Sequence, residues 1–137
     1  NGGHAYHTTM PTDSLAQFRN TLMETADYGF EKTRNEQIDL GTSVRDLLEK
    51  KGFKSVAAKG FQSPTVVVSY TDNQDIKNGK LFAEQGLQIA AGVPLECDEG
   101  ADFMTFRIGL FGLDKLHNLD RTVGNLKKAL DAIKSDF

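Results

Sequence analysis

The stretch over residues 104–112 alternates apolar and other residues in the pattern of a strand with one buried face. The residues at its even positions are all apolar: Met104, Phe106, Ile108 and Leu110. Because successive side chains of a strand point to opposite faces, these positions predict the core face. Thr105, Arg107 and Gly109 then share the other face. Arg107 is the only charge on this strand, and we expect it to point away from the core.

The Arg107 side chain carries a planar guanidinium, which matches a carboxylate or a phosphate with two parallel hydrogen bonds. Neighbouring glycines such as Gly109 are expected to leave open space around it. The alternative is structural: Arg107 caps a sheet edge or pairs with a nearby Asp or Glu. Since structural ion pairs are commoner than binding sites, the spacing alone favours the structural role.

The first part of the chain has the periodicity of two helices. Thr12, Asp13 and Ser14 are N-cap candidates for the first helix, and Ser14 with Gln17 has the spacing of a capping box. Its predicted buried stripe is Leu15, Phe18, Leu22 and Ala26. Gly29 predicts a break, and a second helix is expected from about Phe30 to Lys50. Its predicted inward residues are Ile38, Leu40, Val44, Leu47 and Leu48.

After Gly52 the pattern becomes extended, with two more helical segments. We predict a weak strand over 53–57, a strong β-branched strand over 65–70, a short helix over 75–85 and a brief strand over 87–91. Asn118 is expected to cap a final helix reaching about Ser135. Its predicted apolar stripe is Leu119, Val123, Leu126, Leu130 and Ile133. The order predicts an α+β fold: a small mixed or antiparallel sheet covered by helices, with a long broken N-terminal helix.

Composition narrows the classes of function. The length of 137 residues suits one domain, and a formal charge of −3 argues against a nucleic-acid or anionic-membrane surface. No apolar run approaches the roughly 20 residues that span a bilayer, and we expect no signal peptide. A single cysteine, Cys97, permits no internal disulfide, so we expect a cytoplasmic protein. The carboxylates around Cys97 should raise its thiol pKa, which argues against a nucleophile.

Two motifs, nearly a hundred residues apart, carry a resemblance to a known family. The first is Tyr6-His7-Thr8-Thr9-Met10-Pro11, and the second is the Phe106-Arg107-Ile108-Gly109-Leu110-Phe111-Gly112 strand. Together with the segments 63–65, 86–92 and 118–121, these motifs extend the resemblance over essentially the whole chain. The chain resembles the C-terminal small domain of class V pyridoxal-phosphate-dependent aminotransferases. The alanine-glyoxylate and serine-pyruvate aminotransferases are the most similar in appearance.

The resemblance implies a role for three residues. Arg107 takes the position of the arginine that binds the α-carboxylate of the substrate. Tyr6 and Thr9 take the positions that reach the phosphate of pyridoxal 5'-phosphate in the neighbouring subunit, which implies a homodimer. Both hydroxyls can donate to a phosphate without adding charge. Residues 1–11 are then the extended end of a large domain, and residues 12–137 form the small domain.

The resemblance also implies what this chain does not contain. The lysine that forms the Schiff base with the cofactor lies, in this family, in a large N-terminal domain. We therefore predict no catalytic residue here, no cofactor bound to this chain alone, and no activity for it in isolation. Its lysines occupy ordinary polar positions, for instance Lys50, Lys51, Lys59, Lys127 and Lys128. His4 and His7 have no ligand partners at suitable spacing, so no metal site is expected.

The implied reaction is transfer of an amino group between an alanine- or serine-type amino acid and an oxo acid such as glyoxylate or pyruvate. Two alternatives stay open. One is a stand-alone α+β module that binds an anion or dimerises through its sheet face. The other remains within the enzyme class and is an aminophosphonate transaminase, because much of the substrate pocket belongs to the large domain.

Overall fold

A computed structural model describes residues 8–135, with side chains described as far as Ile133. Six helices and three strands are present in this range, and they form the predicted α+β fold. In chain order they are α1 Thr12–Tyr28, α2 Phe30–Lys50, β1 Val66–Tyr70, α3 Gln74–Lys77, α4 Lys80–Glu84, β2 Ala90–Ala91, β3 Thr105–Gly109, α5 Leu113–His117 and α6 Leu119–Ser135.

The three strands form one antiparallel sheet in the order β1-β3-β2, so β3 is the central strand. Arg107 lies opposite Val68 of β1 on one side and opposite Ala90 of β2 on the other. The weak strand predicted over 53–57 is reduced to a single antiparallel bridge between Ser55 and Ser69. This bridge lies beside β1.

The core lies on one face of the sheet, where α2 and α6 pack. Phe106 of β3 is fully buried, and its ring contacts those of Phe53 and Phe82 at centroid distances of 5.2 and 5.6 Å. Helix α2 contributes Leu40, Val44 and Leu48, and α6 contributes Leu126, Leu130 and Ile133. The alternation of β3 is thus confirmed, because Phe106, Ile108 and Leu110 are all buried.

The break between the first two helices falls at the predicted glycine. Gly29 has φ 103°, in the region that favours glycine, and its N–H donates to the carbonyls of Thr25 and Ala26 at 3.1 Å. The Tyr28 hydroxyl, one residue earlier, donates to Glu36 Oε2 at 2.6 Å. The long N-terminal helix is therefore broken, and this hydrogen bond ties its first half to the second.

Helix α1 departs from the prediction in its start and in its burial. It begins at Thr12 with Pro11 as N-cap, and no side chain caps it, so the capping box at Ser14 is wrong. Proline has a fixed φ that suits a helix start, and here the helix begins before Ser14. The predicted buried stripe is exposed: Leu15, Phe18, Leu22 and Ala26. Periodicity identifies an apolar face, but α1 has no second element covering that face within residues 8–135. Ile38 of α2 is likewise wrong as an inward residue, being 39% exposed.

The segment predicted as one helix over 75–85 is two short helices. Asn73 Oδ1 accepts from the N–H groups of Asp75 and Ile76, so Asn73 caps α3 and the helix begins before the predicted start at 75. Gly79 then adopts φ 82° between α3 and α4, and its bare Cα packs near Ile89. This left-handed residue is what divides the helix.

Two further boundaries differ near the C-terminal half. The strand predicted over 87–91 shortens to β2, Ala90–Ala91, and α5 was not predicted. The Asn118 backbone carbonyl accepts from Thr122 N–H, while its side-chain amide donates back to the Asp114 carbonyl at 3.0 Å. Asn118 therefore joins α5 to α6. The apolar stripe of α6 is confirmed, with Leu126, Leu130 and Ile133 buried and Leu119 and Val123 packed against the core.

The loop between β2 and β3 is folded around one carboxylate. Glu99 accepts hydrogen bonds from the N–H groups of Leu95, Glu96 and Cys97. Hydrogen bonds from backbone N–H groups, with Cys97 contributing most and Glu99 itself next, lower the pKa of Glu99 from 4.5 to about 2. The same carboxylate raises the pKa of the Cys97 thiol, chiefly through a hydrogen bond, in the direction the sequence predicts.

The depressed pKa of Glu99 makes the order of this loop dependent on pH. A carboxyl whose pKa is lower in the folded state stabilises that state above pH 4.5 and loses the effect as the pH falls through about 2. We expect the backbone amide resonances of Glu96 and Cys97 to move in NMR spectra with a midpoint near 2. The Glu99→Gln variant should abolish this titration. A midpoint at the ordinary value of 4.5 would contradict the prediction.

Candidate carboxylate-binding site

Arg107 lies in the middle of the central strand on the face opposite the core. Its neighbours Phe106 and Ile108 are 0% and 8% exposed, whereas Arg107 is only partly buried. Its side chain therefore emerges on the open face of the sheet, as the alternation predicts. The position on β3 also rules out a sheet-edge cap, because β3 has a strand on each side.

The backbone of β2 orients the guanidinium. Arg107 Nε donates to the carbonyl oxygen of Ala91 at 2.9 Å. The next residue, Gly92, runs so close to β3 that a Cβ on it would lie 2.1 Å from the carbonyl oxygen of Thr105. This approach helps to bury Thr105, which is 2% exposed although it shares the open face with Arg107. A glycine is thus required beside the residue that anchors Arg107.

The terminal nitrogens of Arg107 are not used within the described chain. Five ion pairs form among residues 8–135, and none includes Arg107. Its one hydrogen bond in this range is the Nε bond to Ala91. Because Nε is held and both Nη atoms remain, the guanidinium presents its fork to an incoming planar anion. The structural alternative, a pair with Asp or Glu, has no support in residues 8–135.

The surroundings of Arg107 on the open face are small and apolar. Val68 and Ala90 lie directly opposite on the two neighbouring strands. The space expected at Gly109 is partly filled, since the Phe111 ring lies 3.1 Å from where a Cβ would be. The guanidinium of Arg107 with such neighbours suits the carboxylate of a molecule that has a small apolar side chain.

The other predicted site residues are less defined. Thr9 is exposed and precedes α1, whereas Tyr6, His4 and His7 lie outside the described residues. The structure therefore does not test the proposed roles of Tyr6 and Thr9, which stay predictions. No lysine among residues 8–133 is buried. Within the described range, His, Cys, Asp and Glu form no group of three that could hold a metal. None of the described helices is both long and apolar enough for a transmembrane span.

One buried arginine was missed from the sequence. Arg45 of α2 is 7% exposed, and Nη2 donates to the Ser63 carbonyl at 2.7 Å. The available signal was its position one turn after Gly41, on the buried stripe of α2. A charged residue at an inward position is easily mistaken for the edge of the polar face.

Replacing Gly92 by alanine should weaken the site without touching Arg107. The added Cβ meets the Thr105 carbonyl, so the Ala91–Gly92 backbone must shift and the Nε hydrogen bond is displaced. Such strain costs about 1–3 kcal/mol. We expect the affinity of the Arg107 site for acetate, measured by NMR titration, to fall about tenfold. The matched control is Gly124→Ala on α6, where a Cβ meets nothing within 4 Å. Equal acetate affinities of the two variants would contradict this role for Gly92.

The fold around this site is that of part of an aminotransferase. The structure is similar to the crystal structure of an alanine–glyoxylate aminotransferase from Nostoc sp., with a TM-score of 0.67 over 92% of this chain and 19% sequence identity. The chain spans 33% of the length of that protein's chain. No family model matches the sequence, and no curated protein matches it. The resemblance predicted from the two motifs is confirmed at the level of fold.

Proposed function

We propose that this chain is the C-terminal small domain of a class V pyridoxal-phosphate-dependent aminotransferase and that Arg107 binds the α-carboxylate of its substrate. The observation that carries the proposal is the guanidinium of Arg107, oriented by Ala91 and unpaired within residues 8–135. The similarity in fold to an alanine–glyoxylate aminotransferase supports the class of reaction. The proposed substrates are an alanine- or serine-type amino acid and an oxo acid such as glyoxylate or pyruvate.

Within this proposal, Arg107 selects and orients the substrate. Its two Nη atoms donate to the two carboxylate oxygens, and the apolar side chains of Val68 and Ala90 favour a short side chain. This binding holds the α-carbon in one place, which is the contribution of positioning to catalysis. Fixing Nε on Ala91 beforehand reduces the entropy lost when the substrate binds.

We propose that the lysine that holds pyridoxal phosphate lies outside the described residues. None of the lysines in residues 8–133 is buried, and burial is one way in which a protein lowers an ammonium pKa for such chemistry. We therefore assign the cofactor lysine to a large domain outside this sequence. When bound there, the cofactor's ring withdraws electrons from the substrate α-carbon. Tyr6 and Thr9 are proposed to donate to its phosphate across a cytoplasmic homodimer.

The test is an assay of the complete protein with pyridoxal phosphate. We expect it to convert alanine and glyoxylate, or serine and pyruvate, to the exchanged products. The 137-residue chain alone should show neither turnover nor the absorbance of a lysine-bound cofactor. Turnover by this chain alone would overturn the domain assignment. Inactivity of the complete protein toward these substrates, with activity toward an aminophosphonate, would select the related transaminase instead.

The unpaired Arg107 is also compatible with a stand-alone anion-binding or dimerisation module. The reading frame that encodes the chain distinguishes the two. A large domain encoded upstream, about 200 residues or more, supports the aminotransferase. A translation start codon directly before Asn1 supports the module.

The exposed stripe of α1 supports a partner for this helix in the complete protein. Leu15, Phe18 and Leu22 are 50%, 65% and 45% exposed, and such an apolar row favours association. We propose that the large domain covers it. The isolated chain should therefore self-associate, with a sedimentation coefficient that rises with concentration. Substituting these three residues by serine should restore a monomer. A wild-type chain that sediments as a monomer at every concentration would contradict this prediction.

A further inference from the structure

Arg45 is the one charged residue buried in the core region of the described chain. It projects from α2 toward the segment 62–65 and is 7% exposed. Its Nη2 donates to the Ser63 carbonyl at 2.7 Å. A guanidinium cannot lose its charge in a protein, so burial leaves a permanent cation at this position.

The other terminal nitrogen of Arg45 lacks a partner. Nη1 is shielded from solvent and has no hydrogen-bond acceptor within residues 8–135. No carboxylate in that range forms an ion pair with Arg45. Because an unsatisfied buried donor is costly, and a charged one more so, such a group in a native protein calls for an acceptor. That acceptor has to come from outside the described residues.

A groove adjoins Arg45 between α2 and the segment 62–65. Its volume is about 610 Å³, and its polar lining includes Arg34, Gln37, Thr42, Asp46, Gln62 and Thr65. The packing on one side of this groove is fixed. Gln37 Nε2 donates to the Pro64 carbonyl at 3.0 Å, and Gly41 allows Pro64 to pack directly on the helix. The segment is therefore held against α2 by specific contacts.

The charges around the groove indicate the kind of ligand. Arg34 and Arg45 contribute two positive charges and Asp46 one negative charge, so the lining favours a monoanion over a dianion. A carboxylate is a planar monoanion that accepts from a guanidinium. We propose that the groove between α2 and residues 62–65 binds a carboxylate through Arg45. This site is separate from Arg107, which is not part of the lining, and it does not depend on the proposed function.

An NMR titration with acetate tests the proposal directly. In the ¹⁵N-labelled chain, acetate should move the backbone amides of Ser63 and Thr65 and the Nε–H signal of Arg45. The shifts should saturate with a Kd in the millimolar range, about what one charge-assisted contact provides. Chloride at the same ionic strength is the control and should not reproduce them. Absence of saturable shifts, or equal shifts with chloride, would overturn the proposal and leave a water molecule as the acceptor for Nη1.

Three variants test whether the acetate shifts arise from binding at Arg45. Arg45→Met should abolish the shifts. Asp46→Asn, at an exposed position, should tighten acetate binding about threefold by removing the like charge. Arg107→Met should leave the shifts at Ser63 and Thr65 unchanged, because acetate bound on the open sheet face does not reach this groove. Unaltered affinity in Asp46→Asn, or loss of the shifts in Arg107→Met, would contradict the proposal even if Arg45→Met does not fold.

Discussion

Replacing Arg107 by alanine in the proposed aminotransferase is expected to lower kcat/KM for the amino acid substrate by a factor of about 30 or more. Removing one partner of a hydrogen-bonded charge pair costs roughly 2–5 kcal/mol, because the carboxylate is then left without its cation. The loss should appear mainly in KM if Arg107 contributes equally to ground-state and transition-state binding. Steady-state kinetics with the amino donor varied would measure it.

Two further substitutions make this prediction specific to the guanidinium. Arg107→Lys keeps the charge but loses the fork and the Nε hydrogen bond to Ala91, so its activity should be intermediate. Arg121→Ala removes an arginine that forms a surface ion pair with Asp114 at 2.5 Å, and it should stay within about twofold of the wild type. An Arg107→Ala enzyme with unchanged kinetics would exclude the carboxylate role.

The second large effect is expected from Phe106→Ala, which should destabilise the fold by about 3–5 kcal/mol. The Phe106 side chain is fully buried at 0% exposure, and its ring joins those of Phe53 and Phe82 at 5.2 and 5.6 Å. Truncating it removes the buried area and leaves a cavity at the centre of the sheet. Urea denaturation followed by circular dichroism measures the change in the free energy of unfolding.

The matched control is Phe61→Ala, because Phe61 is 86% exposed. Its free energy of unfolding should change by no more than about 0.5 kcal/mol. If Phe106→Ala and Phe61→Ala were equally mild, the core would not be centred on β3. The strand that carries Arg107 would then lack the rigid support assigned to it.

Local sequence patterns predicted those strands and helices that are defined by the residues of the strand or helix itself. The alternation of β3 identified both its core face and the open face that carries Arg107, because the period of a strand is fixed by its geometry. Gly29 predicted the break between α1 and α2, and the β-branched run predicted β1, in the same way. The core of α2 followed from its spacing apart from Ile38, which is 39% exposed.

Long-range packing accounts for what the sequence did not reveal. The apolar period of α1 is real, yet nothing in a periodicity tells which partner covers it. Gly79 divides a predicted helix by adopting φ 82°, and Ile89, from another segment, lies 3.1 Å from where its Cβ would be. The anchor of Arg107 depends on Ala91 and Gly92, which are distant in sequence from β3.

Arg107 and Arg45 show the same difference between a local sequence pattern and long-range packing. Arg107 was recognisable because it interrupts an alternating strand as a single charge. Arg45 stands among other charges on α2, and its burial results from the approach of Ser63 and Pro64 to Gly41. That Nη1 has no acceptor within residues 8–135 becomes visible only once those contacts are known.

The most direct test of the central claim compares two substrates that differ only in the carboxylate. Alanine and ethylamine would be reacted with the wild-type enzyme and with Arg107→Ala, each loaded with pyridoxal phosphate, in single-turnover measurements. If Arg107 binds the α-carboxylate, the second-order rate constant of the variant should fall about 30-fold or more with alanine. With ethylamine it should fall by less than about twofold. Equal losses with both substrates, or no loss with alanine, would contradict the account.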